Sequence, residues 1–206
     1  MGFFESIITP TNTLLFENKF RTVVDEGKQF VVAGEVCFWK NYGNVQSRDR
    51  ITQKLLAHLS NPVNWDKFTH VIKQISIYPS MEKFNALQYA VNQPKGFATP
   101  ITFLAFYNPM KYPMVDKHIA NWWTSNKAKF GYKDSPNFSQ REDGWIQTYT
   151  KLQVRQNWEA YLAWQTFCED YANKIEKSCK IKWRARDVEM AVWEAWKNNI
   201  PVETLT

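Results

Sequence analysis

Asp116 stands out in this 206-residue sequence because of what surrounds it. Tyr112-Pro113-Met114-Val115 precedes it, Lys117-His118-Ile119 follows, and Trp122 and Trp123 come next. A carboxylate in such a frame can stabilise positive charge developing on a substrate, or activate an attacking water. It can also do the ordinary work of an N-cap, accepting backbone amides at the start of a helix. His118 reads as a group that fixes local geometry more than as a base. Upstream, Gly96 sits in a short gap between two helical patterns, with Thr99 expected as N-cap and Pro100 at the first helical position. A hairpin of two helices leaves unpaired amides pointing outward. Together with the helix dipole, these amides suit a phosphate.

Several elements must position these residues. Segment 84–123 predicts a helix ending near Asn92, a hairpin, and a second helix stopping before Asn108-Pro109. An extended stretch 112–115 then delivers Asp116 to the start of a third helix. Before this unit, Leu14, Leu15, Phe20, Val23 and Val24 form a helical stripe introduced by Thr11 and Asn12 and stopped at Gly27. A largely apolar segment from Phe30 to Gly43 follows. Helices introduced by Ser47, Asn64 and Ser80 come next, the first stopped by Asn61-Pro62 and the second near Pro79. After the unit, 131–143 reads as a polar loop. A long helix then carries Trp158, Tyr161, Leu162, Phe167, Cys168, Tyr171 and Ile175, and a last one carries Val188, Ala191, Val192, Ala195 and Trp196. Core packing is the plain reading of all these stripes. Trp122 and Trp123 are adjacent, so a narrow stripe cannot bury both; either one faces a groove or the core contact is broad.

Composition limits what such a unit can belong to. Hydrophobic residues make up 44% and charged residues 22%, which excludes a disordered chain. Ten Trp, nine Tyr and fourteen Phe stand against only seven Gly, and so few Gly favour helices over a turn-rich β-fold. The expected class is all-α. The formal charge of +6 permits attraction to nucleic acid or another acidic surface, and no run of five like charges forms a basic tail. The densest basic stretch is Lys174, Lys177, Lys180, Lys182, Arg184 and Arg186; it could follow a DNA backbone, but a solvated face is the commoner explanation. Cys37, Cys168 and Cys179 make no C-x-x-C pair and read as buried or inert thiols in a reducing compartment. The opening MGFFESIITP lacks a leader's basic and apolar regions, and no stretch is apolar enough to span a membrane. The expectation is an intracellular protein, cytoplasmic or nucleoid-associated, with no membrane partner.

The order hairpin, apolar helix and Tyr112-Pro113-Met114-Val115-Asp116-Lys117-His118-Ile119 resembles the helix-hairpin-helix DNA glycosylase superfamily, whose members carry "P-x-x-V-D-T-H-V". The hairpin is similar at Gln93-Pro94-Lys95-Gly96-Phe97-Ala98-Thr99-Pro100, where the family has "L-P-G-V-G-x-K-T-A". The similarity covers about forty residues. Arg184-Ala185-Arg186-Asp187 is also similar to the end of small archaeal-type members.

The resemblance implies a helix-hairpin-helix glycosylase-like fold of two helical lobes with a cleft between them. These would be 28–130, with the hairpin at about 92–99, and 1–27 together with 131–206. It implies base-excision repair on double-stranded DNA: an N-glycosidic bond to a damaged or mismatched base is hydrolysed after the base leaves the duplex. Asp116 would be the essential carboxylate, and Lys95, Gly96, Phe97, Thr99, Lys117 and His118 would contact DNA.

Three departures shape that expectation. Ala98 stands where bifunctional members carry the lysine that attacks the sugar, so the expected chemistry is hydrolytic and without strand cleavage. Pro94 replaces the first hairpin glycine and has neither an N–H nor access to positive φ. The scattered cysteines cannot hold the family's iron–sulfur cluster, so no cofactor is expected. Two other readings stay open: a DNA-binding module that has lost catalysis, and a helical protein–protein interaction domain.

Overall fold

The computed structural model describes residues 10–201, with side chains from Thr13 onward. Residues 1–9, most of the segment read as no leader, lie outside this range, as do the side chains of the expected caps Thr11 and Asn12. The described residues form nine α-helices, and their only β-pairing is a single bridge between Gln140 and Ile146. The chain is all-α, as the scarcity of glycine predicts. It divides into two compact units, Met1–Asn108 and Pro109–Thr206, whereas the sequence placed lobe boundaries near 27 and 130.

The first unit holds α1 (Pro10–Glu26), α2 (Val31–Lys40), α3 (Val45–Leu59), α4 (Pro62–Ile77), α5 (Met81–Ala90) and α6 (Ala98–Tyr107). Helix α6 is apolar on every side, and Ile101, Phe103, Leu104, Ala105 and Phe106 are all fully buried. A helix of that kind must be surrounded, and α1, α2, α4 and α5 all pack on it. Phe103 meets Phe20 and Phe68 at 5.9 and 5.4 Å between ring centroids, and Phe106 meets Phe16 and Trp39 at 5.2 and 5.1 Å.

Several helix starts differ from those expected. The buried stripe of α1 is Thr13, Phe16, Glu17, Phe20 and Val24, while Leu14 and Leu15 face outward. Spacing of three and four residues selects Phe16 and Phe20 together, and Leu14 and Leu15 fall on the other side. Helix α3 begins at Val45 and not at Ser47. Asn61 does not merely stop α3; its side chain caps α4 by accepting the Val63 amide at 2.9 Å, with Pro62 at the first helical position. Ser80 caps α5 as expected, and Gly27 closes α1 at φ +69°.

The second unit holds α7 (Lys117–Asn126), a 3₁₀ turn (Lys127–Phe130), α8 (Lys151–Cys179) and α9 (Ala185–Lys197). Its core settles the Trp122–Trp123 question in favour of a broad contact. Both are buried: Trp122 packs on Phe130, Trp164 and Phe167, and Trp123 on Tyr132, Trp164 and Phe167. Helix α8 opens with a capping box. Thr150 Oγ1 accepts the Gln153 amide at 3.2 Å, and Gln153 Oε1 accepts the Thr150 amide at 3.0 Å. Thr150→Ala removes one half of that exchange and is expected to cost about 1 kcal/mol. A thermal melt should show the midpoint fall by roughly 2–4 °C.

Candidate functional site

Residues 109–115 are irregular backbone, so their carbonyls need partners from elsewhere. The second unit supplies them one after another. The Arg186 amide donates to the Pro109 carbonyl at 3.1 Å and the Ala185 amide to the Met110 carbonyl at 3.2 Å, so the open first turn of α9 is satisfied by the same segment. The Tyr161 hydroxyl donates to the Pro113 carbonyl at 2.9 Å, and Trp164 Nε1 to the Met114 carbonyl at 3.0 Å. The Met114 amide donates to Glu189 Oε2 at 3.3 Å. Burial raises the Tyr161 hydroxyl well above its ordinary pKa, with nearby acidic groups adding to the effect, so it stays a donor. Five bonds from α8 and α9 therefore fix the path of the chain into Asp116.

Asp116 is the N-cap of α7. Its Oδ1 accepts the amides of His118 and Ile119, both at 2.9 Å. Among the described residues, Oδ2 has no hydrogen bond or ion pair, and the side chain is half-buried. One carboxylate oxygen thus builds the helix start while the other has no hydrogen-bond partner among the described residues. The His118 ring lies against Trp196, with centroids 4.0 Å apart. Lys117 places its ammonium 5.4 Å over the Trp145 ring.

The hairpin connection, 91–97, is built from two turns. Helix α5 ends with Asn92 at φ +54°, the Asn92 amide bonded to the Tyr89 carbonyl and the Gln93 amide to the Gln88 carbonyl. That is a Schellman ending, with Asn in the left-handed position that glycine more often fills. A β-turn then runs Gln93-Pro94-Lys95-Gly96, closed by the Gly96 amide on the Gln93 carbonyl at 2.8 Å. Pro94 fits its second position, where a fixed φ is an advantage. The Gly96 amide, expected to face a phosphate, is engaged inside this turn. A Cβ at Gly96 would crowd Gln93, lying 2.7 Å from its Oε1 and 3.0 Å from its Cβ, so the Gln93 side chain would have to shift. The Gly96 carbonyl is held by Gln88 Nε2 at 2.5 Å.

The start of α6 also moves. Phe97 is its N-cap in place of Thr99, which puts Pro100 in the third helical position. The open donors are therefore the amides of Ala98 and Thr99, which have no hydrogen bond among the described residues. Phe97 is buried against Phe84, with centroids 5.0 Å apart, and works as a core residue. Lys95 is exposed. With Lys54 it edges a cavity of about 420 Å³ floored by Ile51, Leu55 and Val91.

The structure brings Asp116, Lys117 and His118 together in the second unit and Lys95, Gly96, Phe97 and Thr99 together in the first. Sequence reasoning missed Trp145. The segment 131–143 was read as a polar loop, and the only sign of Trp145 was one aromatic after Asp143-Gly144. The basic stretch is interrupted in the sequence by Glu176 and Asp187, and the structure pairs two of its arginines. Arg184 pairs with Asp187 and Arg186 is buried against Glu189, which leaves lysines at the end of α8. Cys37 and Cys168 are buried, and burial pushes the Cys37 thiol up to about 11. Cys179 is exposed. No described helix is long and apolar enough to cross a membrane. No protein-family model, curated protein or solved structure matches the chain.

Proposed function

We propose that this protein is a DNA-binding, monofunctional DNA N-glycosylase of the helix-hairpin-helix type. It would hydrolyse the glycosidic bond of a damaged or mismatched base, with Asp116 as the essential carboxylate. The observation that carries the reading is the state of Asp116. Its path is fixed by five hydrogen bonds, one oxygen is committed to the helix cap, and the other has no hydrogen-bond partner among the described residues. A charge held in place before the reaction stabilises a cationic sugar without reorganisation, which is where electrostatic catalysis gains most.

In this reading the phosphate grip falls to the first turn of α6, where the Ala98 and Thr99 amides are open and the helix dipole favours an anion. Lys95 adds charge on the preceding turn. The engaged Gly96 amide favours the second reading, a module that holds DNA without reacting on it, because it removes one donor from that grip.

The test uses a panel of duplexes carrying uracil, oxidised guanine, alkylated purines or mismatches, incubated with the protein and then treated with alkali. The expected result is cleavage at one lesion class after alkali and none before it. Binding without an abasic product from any substrate overturns the enzymatic reading and leaves the module. With Ala98 at the position of the family's nucleophilic lysine, borohydride should trap no covalent DNA adduct. A trapped adduct would show amine chemistry and refute the monofunctional assignment.

A further inference from the structure

Trp145 is half exposed, yet the loop that carries it is built with care. Residues 139–147 form a small hairpin in which the Arg141 amide bonds the Trp145 carbonyl at 2.9 Å and the Gln147 amide bonds the Ser139 carbonyl at 2.7 Å. Asn157 of α8, fully buried, grips both sides: its Oδ1 accepts the Ser139 amide and its Nδ2 donates to the Gln147 carbonyl, each at 2.6 Å. Gln140 Nε2 ties the loop to α7 through Asn121 Oδ1 at 2.9 Å. At the tip, Gly144 is buried at φ +83°, so close to α7 that a Cβ would lie 3.2 Å from Asn121 Nδ2 and 3.8 Å from Lys117 Cβ.

A large aromatic ring left exposed on a loop this firmly anchored has its entropy cost of binding reduced in advance. Beside it lies Lys117, with no ion pair among the described residues and next in sequence to Asp116. A planar apolar ring with a cation over it that has no carboxylate partner matches one chemistry well: a nucleotide, whose base stacks and whose phosphate is anionic.

We propose that Trp145 and Lys117 form a nucleotide platform, the indole stacking on an unpaired base of a DNA strand and the ammonium meeting the adjoining phosphate. The proposal rests on the DNA reading above and deepens it by naming what the strand presents, a base outside the duplex.

The experiment measures anisotropy of the full chain with labelled oligonucleotides at low salt, comparing a paired duplex with the same duplex carrying one unpaired nucleotide. Trp145→Ala is expected to weaken the unpaired ligand by about 5- to 100-fold and leave the paired duplex unchanged. Trp145→Phe keeps most of the affinity, since it retains a stacking face and serves as the folded control. Lys117→Met lowers the slope of log affinity against log salt by about one. If the wild type binds DNA and Trp145→Ala matches it on both ligands, or weakens both equally, the platform is wrong and the DNA reading stands. If the wild type shows no salt-sensitive DNA binding, the DNA reading itself fails and the platform falls with it.

Discussion

Asp116→Asn is expected to slow base release by about 10²- to 10⁴-fold while leaving the thermal midpoint and duplex affinity unchanged. The substitution separates the two jobs that the carboxylate holds. Asparagine caps a helix about as well as aspartate, and its oxygen can accept the same two amides, from His118 and Ile119, that Oδ1 accepts at 2.9 Å. What disappears is the charge on the open side. Asp116→Ala removes both and adds a capping loss of about 0.5–2 kcal/mol. The decisive pair of measurements is a single-turnover rate on whichever lesion the wild type processes and a melt of each variant. Should Asp116→Asn keep the full rate, Asp116 is a structural cap and the enzymatic proposal fails with it. Should the rate fall only in Asp116→Ala and in step with stability, the same conclusion follows.

The readable parts of this chain are those set by local chemistry. Asp116 as an N-cap, Ser80 as another and Gly27 as a stop each depend on residues within one turn, so spacing and residue type were enough. The all-α class was legible for a similar reason, since helical spacing repeats in every stretch. What could not be read depends on partners distant in sequence. Phe97 in place of Thr99 caps α6 because its ring is drawn into the core on Phe84. The engaged Gly96 amide follows from Pro94, which lacks an amide of its own and is the second residue of a β-turn. Trp145 has no legible pattern because it falls between the polar loop 131–143 and the long helix; its setting depends on Asn157, twelve residues on, and on Asn121. The basic stretch is a different case, since Asp187 interrupts it in the sequence itself. Two of its arginines are spent on Asp187 and Glu189, a pairing at three-residue spacing that only the burial of Arg186 makes consequential.

That burial gives the second large effect: Arg186→Met is expected to destabilise the protein by about 3–5 kcal/mol. Arg186 and Glu189 are paired with side chains only 2% and 5% exposed, so removing the guanidinium leaves a carboxylate in the core that keeps the Met114 amide but has lost its cation. The loss should appear as a fall in thermal midpoint of roughly 10 °C or more. It should also depend on pH in a telling direction. In the variant, the buried Glu189, without its guanidinium, takes up a proton more readily when folded than when unfolded. Stability is therefore regained as the solution is acidified from neutral and lost again as pH rises. Glu189→Gln strands an arginine, which stays charged throughout, and shows no such recovery. Arg186→Met combined with Glu189→Leu removes both charges and should recover most of the loss, short of the bond to Met114. That residual matters for function, because the Met114 amide is one of the five bonds that place Asp116. Base release in the double variant should stay depressed after stability has returned. A rate that recovers fully would mean the remaining four bonds suffice to hold the carboxylate.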